Sequence, residues 1–183
     1  MNERRRTFIA LLRGINVGGH NKVPMSELRS LCAELGWSDV RSYIQSGNLV
    51  FAAGAAPPAL EAELERAIER RFGLSIPVIV RTPSDWTAYV RSNPFPDASA
   101  ETPNLVMLAL SKAAPKADAA DGLAARAANG ERVVRAGDAL WIHFTAGAAR
   151  SKLSPALFDR LVGSPVTIRN WSTVLRIAEL AGA

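Results

Sequence analysis

The feature that most limits what this chain can fold into is an order of elements written twice. Residues 7–13 read as a strand, 24–35 as a helix, 40–45 and 48–52 as two strands of a hairpin, 59–72 as a helix and 76–81 as a strand. The helical readings rest on apolar residues at i, i+3, i+4 and i+7, as at Leu28, Leu31, Cys32 and Leu35. A short helix then starts at Thr82-Pro83-Ser84-Asp85, the pattern of a capping box. After residue 103 the order recurs. There is a strand at 104–110, an Ala-rich helix at 114–128 with a break near Gly122, and hairpin strands at 132–135 and 139–144 turning at Gly137-Asp138. A helix capped by Ser154, a strand at 166–169 and a helix capped by Asn170 complete it. Two local echoes accompany the repeat: SGNLVF against AGDALWIHF, and PVIVRTPSDW against PVTIRNW. Strand–helix–strand–strand–helix–strand is the ferredoxin-like unit. The expected fold is therefore α+β, with two tandem ferredoxin-like (βαββαβ) subdomains, each followed by an extra helix. The expected boundaries are 1–92 and 104–183, joined by a Pro-rich linker at 93–103 that holds Pro94, Pro96 and Pro103.

This topology gives the stretch RGINVGGHNK, residues 13–22, a location. In such a sheet the strand order is 4-1-3-2, which puts the end of the first strand on the same edge as the hairpin between the second and third. One polar rim then gathers Arg13, Asn16, Gly18, Gly19, His20 and Lys22 with Gln45, Ser46, Gly47 and Asn48. The helix that follows the loop begins there, and its unpaired N–H groups favour an anion. Two readings stay open. The rim grips a phosphate-bearing ligand, a nucleotide or a nucleic-acid backbone, or the glycines and asparagines merely supply left-handed turn geometry. Gly14 and Gly19 have the spacing that opens a phosphate-binding P-loop, but His20-Asn21 follow instead of Lys-Ser/Thr, so that motif fails. An enzyme acting on a small polar metabolite at the same rim is the alternative, with His20 as the candidate general acid or base. A second basic cluster holds Arg150 and Lys152, with Arg169 elsewhere in the same half.

Other function classes are limited by composition. The net charge of +5 and isoelectric point of about 10.0 suit a polyanion partner. The charges are spread evenly, however: residues 1–95 carry 12 Lys+Arg and 9 Asp+Glu, and residues 96–183 carry 10 and 8. The basic run Arg4-Arg5-Arg6 is the exception, and the charged residues of the 59–72 helix (Glu61, Glu63, Glu65, Arg66, Glu69, Arg70, Arg71) read as a solvated face. Unbroken apolar runs at 8–12 and 105–110 mark central strands covered on both faces, so an RNA-binding open sheet is not expected. The four tryptophans read as core rather than stacking platforms. One cysteine, Cys32, reads as a buried core residue and permits no internal disulfide. With only His20 and His143 besides it, no His/Cys zinc site is expected, and nothing calls for a cofactor. No segment is long and apolar enough for a membrane span, and the opening MNERRRTFIALLRG lacks the long apolar core of a signal peptide. The expected location is the cytoplasm.

The run LLRGINVGGHNKVPMSELRSLCAELGWSDVRSYIQSGNLVF closely resembles the opening of a bacterial family catalogued as domain of unknown function 1697. The closing RNWSTVLRIAEL resembles that family's ending. The resemblance spans essentially the whole chain and is strongest at 11–51 and 165–180. It implies a cytoplasmic α+β protein with ferredoxin-like subdomains and implies no activity. This chain carries His20 where Lys or Arg is common, so no permanent cation is expected at that position.

Overall fold

The central strand explains the first unit. β1 (Arg6–Leu12) carries the apolar run 8–12, every residue of which is buried. It pairs antiparallel with β3 (Asn48–Ala53) on one side and β4 (Val78–Arg81) on the other, and β2 (Ser38–Tyr43) completes the order β2-β3-β1-β4. This computed structural model describes residues 5–183, so Arg4 of the basic run lies outside the described residues. Alternate residues of β1 and β3 (Phe8, Ala10, Leu12, Leu49, Phe51) meet Leu28, Leu31 and Cys32 of α1 (Met25–Glu34) and Leu60, Leu64 and Ile68 of α2 (Pro57–Phe72). Each large side chain so buried contributes about 1.5–3 kcal/mol, which is what holds these helices to the sheet. Trp37 stacks on Phe51 with ring centroids 4.0 Å apart and donates its indole N–H to Glu63 at 3.0 Å.

Two details differ from the sequence expectation. The first hairpin is not a two-residue connection: β2 ends at Tyr43, and 44–47 form the turn, with Ile44 and Gly47 at φ +51° and +74°. The charged residues of α2 are also not all a solvated face. Glu61 is buried, and its carboxylate accepts the Val80 N–H at 2.8 Å, while Glu65 accepts the Val78 N–H at 2.8 Å. β4 is an edge strand, and Val78 and Val80 point their N–H groups away from β1. Residues i and i+4 of a helix lie about 6 Å apart along its axis, and i and i+2 of a strand about 6.6 Å, so one helix turn matches two successive outward donors. Arg81 closes the same edge by donating to the Val80 carbonyl at 2.9 Å.

The second unit repeats the plan. β5 (Val106–Ser111), β6 (Arg132–Ala136), β7 (Ala139–His143) and β8 (Val166–Asn170) form a sheet of order β6-β7-β5-β8, every neighbour antiparallel. Leu140, Ile142 and Phe144 face a core with Leu123 of α5 (Ala119–Ala124) and Phe158 and Val162 of α6 (Pro155–Val162). The long Ala-rich helix expected over 114–128 is only α5: alanine favours helix intrinsically, but a helix lasts only where a face is buried, and here Ala119 and Leu123 supply it. The chain is thus α+β with tandem ferredoxin-like subdomains, each followed by helix: α3 (Pro83–Arg91) and, at the end, α7 (Trp171–Ala181). The proline-rich stretch 93–103 carries a short helix of its own, α4 (Pro96–Glu101). The expected caps form. Thr82 and Asp85 exchange reciprocal hydrogen bonds, Ser154 accepts the Leu157 N–H, and Asn170 accepts the Thr173 N–H. Trp37, Trp86 and Trp141 are buried, and Trp171 is half-buried beside Trp141. The described residues through Thr87 with Arg176–Ala183 form one compact unit and Ala88–Leu175 the other. Among the described residues no helix is long and apolar enough to cross a membrane.

Candidate functional site

Register alone brings the loop after β1 to the β2–β3 hairpin. Leu11 pairs with Asn48, the Leu12 N–H donates to the Gly47 carbonyl at 2.8 Å, and the Arg13 N–H donates to the Pro77 carbonyl at 3.0 Å. The chain then doubles back on itself. The Asn16 N–H donates to Asn21 O and the His20 N–H to Val17 O, with Gly18 and Gly19 at φ +57° and +80° between them. Two left-handed residues at the centre of a tight turn are the mark of a type I′ hairpin tip, which is why two glycines stand there. Gly14, Asn16 and Asn21 are left-handed as well. RGINVGGHNK is therefore a miniature hairpin set on the rim, and backbone geometry accounts for its glycines and asparagines.

The loop is tied down by one side chain. The Asn16 amide donates to Val23 O at 2.9 Å and to Gln45 O at 2.8 Å, and its oxygen accepts the Val23 N–H at 2.9 Å. One residue thus joins the loop to the approach to α1 and to the β2–β3 turn. Asn21 adds a bond to Gly14 O at 3.0 Å. Asn48 is buried, and its amide donates to Tyr43 O and to the Ser46 hydroxyl, closing the turn from within. Gly47 packs so closely that a Cβ there would lie 2.7 Å from the Leu12 Cβ.

The residues expected at the rim therefore come together, but they divide. Gly18, Gly19, His20, Lys22 and Gln45 are exposed, and Arg13 and Ser46 are half-buried. Asn16 and Asn48, expected to meet a ligand, have their amide hydrogens committed to the protein, where they hold the loop and the turn in shape. Two further residues at this surface, Val17 and Ile44, escape sequence reasoning because both are apolar, yet they are 63% and 52% exposed. Ile44 is a β-branched residue in a left-handed conformation, a costly arrangement for that side chain.

α1 begins at this rim without a side-chain cap. Its N-cap is Pro24, and among the described residues the N–H groups of Met25, Ser26 and Glu27 meet no hydrogen-bond acceptor. Glu27 supplies one negative charge within that first turn. Lys22, exposed, precedes Met25 by three residues.

The second basic cluster is organised differently. A carboxylate holds its loop: Glu131 is buried, accepts the Ser151 hydroxyl and the Asn129 N–H, and sits below the usual glutamate range chiefly because of the Ser151 bond. Asn129 in turn donates to Arg150 O at 2.7 Å. Arg150 and Lys152 are exposed. Arg169 is buried, donates to Thr167 Oγ1 and Ile168 O, and is pushed down to about 10 by loss of solvent. Its guanidinium is not offered to solvent alongside the other two. Cys32 lies in the core, and burial pushes its thiol up to about 12.

Comparison with known proteins agrees with the fold. A family model described as "Protein of unknown function (DUF1697)" matches residues 5–141. The solved structure of the conserved bacterial protein SP0830 from Streptococcus pneumoniae is similar with a TM-score of 0.75 and 24% identity, covering 97% of this chain and 99% of that one. At that identity the likeness speaks for the fold alone. No curated protein matches the chain.

Proposed function

Because the chain belongs to the DUF1697 family, whose function is unknown, its activity has to be read from its own surface, and we propose that the rim binds the phosphate of a nucleotide or of a nucleic-acid backbone. The observation that carries this reading is the start of α1. Three adjacent N–H donors lack an acceptor among the described residues, on a helix end that carries the positive pole of the backbone dipole. Lys22 lies on the chain just before this helix, and the exposed Gly18-Gly19 tip belongs to the same loop, where glycine lets a ligand oxygen approach the backbone closely. Arg13, Lys22, Gly18, Gly19, Gln45 and Ser46 form the proposed contact set, with Asn16 and Asn48 holding the loop and the turn in place.

Titration with inorganic phosphate, mononucleotides and short RNA and DNA, followed by amide chemical shifts, tests the proposal. Shifts centred on Met25, Ser26, Glu27 and residues 18–22 are expected, weakened by Arg13→Ala with Lys22→Ala. Binding unchanged in that double variant would remove the rim as the site. A steep fall of affinity with salt selects nucleic acid over a small ligand.

A further inference from the structure

Each sheet has two edges, and this molecule treats them unequally. β4 has its outward N–H groups taken by Glu61 and Glu65 and its Val80 carbonyl by Arg81. On β8, Asp159 takes the Val166 N–H, and Arg169 donates to the Ile168 carbonyl. β2 is interrupted by a register shift between Ser38 and Arg41, where Asp39 sits at φ +53°. Capping by side chains and bulging are the usual ways of making an edge unfit for another strand. β6 has neither device. It pairs with β7 without a shift, from Arg132↔His143 to Ala136↔Ala139.

The hairpin fixes which groups of β6 are left over. The Gly137-Asp138 turn is closed by the Ala136↔Ala139 pair, so Ala136, Val134 and Arg132 exchange hydrogen bonds with β7, and Val133 and Arg135 point their N–H and C=O groups outward. Among the described residues those outward groups meet no hydrogen-bond partner. The flanking side chains are charged. Arg132 and Arg135 are exposed, Arg132 lying over the Phe95 ring at 4.9 Å and Arg135 reaching back to Gly137 O and Lys116 O. Val133 and Val134 between them are half-buried.

We propose that the outer edge of β6 takes up an extended acidic segment of another protein as a fifth, antiparallel strand. The register follows from the geometry. Incoming residues opposite Val133 and Arg135 exchange main-chain hydrogen bonds with them. The positions opposite Arg132 and Arg135 carry Glu or Asp, on opposite faces of the sheet, and the two between are β-branched to lie beside Val133 and Val134. A second copy of β6 is the poorer occupant, because it would bring four arginines to one seam without a counter-charge.

The test uses the full chain and the capped peptide acetyl-Thr-Glu-Val-Val-Glu-Thr-amide, with a twin carrying Lys in place of both Glu. The expected result is shift changes and slowed hydrogen exchange at the Val133 and Arg135 amides, with the lysine twin about tenfold weaker. Val133→Pro removes an outward donor without touching the β6–β7 ladder and abolishes binding. Arg132→Glu with Arg135→Glu inverts the preference toward the lysine peptide, an effect that mere loosening of the strand would not produce. Shifts that avoid β6, or equal binding of both peptides, overturn the proposal. So does a doubled mass with Val133 and Arg135 already protected in the absence of peptide, which would give the edge to a second copy.

Discussion

Replacing Gly47 with alanine tests the packing that joins the hairpin to β1. Two separate penalties act there. The backbone stands at φ +74°, where a side chain costs about 1–2 kcal/mol. The new Cβ would also stand 2.7 Å from the Leu12 Cβ and 2.9 Å from the Ile15 Cδ1, against 3.4–4 Å for an ordinary contact. Ile15 can swing its terminal methyl aside, but the Leu12 Cβ is fixed to the central strand of the sheet, and such overpacking adds about 1–3 kcal/mol. The sum is about 2–5 kcal/mol, a large share of the roughly 5–15 kcal/mol that holds a domain folded. Gly19→Ala is the matched control, since Gly19 has φ +80° but nothing within 4 Å of its Cβ position, and it carries the backbone penalty alone. Urea unfolding of both variants by circular dichroism should separate them by about 1 M in midpoint, given slopes of about 1–3 kcal/mol per molar. Equal midpoints would show that Gly47 does not approach Leu12 as described.

Three further outcomes are expected. Cys32, with its thiol pushed up to about 12 in the core, should resist a disulfide reagent in the folded protein and react on addition of denaturant; fast native reaction would contradict its burial. Glu131 has a folded pKa below its unfolded value near 4.5, so its stabilising effect is complete above that pH and is lost as pH falls through the folded value. Ser151→Ala should move the Glu131 carboxyl titration, followed by carbon NMR, upward. Glu61→Ala with Glu65→Ala should speed hydrogen exchange at Val78 and Val80 and raise the tendency to aggregate, by opening the β4 edge; unchanged exchange at both amides would refute the edge-closing role.

The strand order was legible because apolar runs such as 8–12 belong only in the middle of a covered sheet, and the recurrence of the element order left one simple arrangement for the outer strands. The rim followed from that order. Its internal division did not. Asn16 and Asn48 look like ligand contacts in sequence, because nothing local shows that their amides are committed to Val23, Gln45, Tyr43 and Ser46 across turns whose shape is tertiary. Glu61 was hidden for a related reason. A glutamate among other charges on a helix reads as solvent-facing until the edge of β4 supplies a buried donor for it. The turn at Ile44 was equally hidden, since isoleucine is among the last residues one would place at positive φ.

The miniature hairpin at residues 13–22 has a consequence for how such a protein can change. Its form depends on Gly14, Asn16, Gly18, Gly19 and Asn21, all with left-handed backbones, and its outward chemistry depends on Val17, His20 and Lys22. The two sets interleave along the chain, and the tip glycines Gly18 and Gly19, which the proposed contact set also includes, offer only backbone. The exposed side chains at these three positions can therefore be exchanged while the frame that presents them stays constant. On the proposed reading of the rim, variation among relatives at those three positions would leave the loop's shape intact, and variation in the frame would remove the shape that presents it.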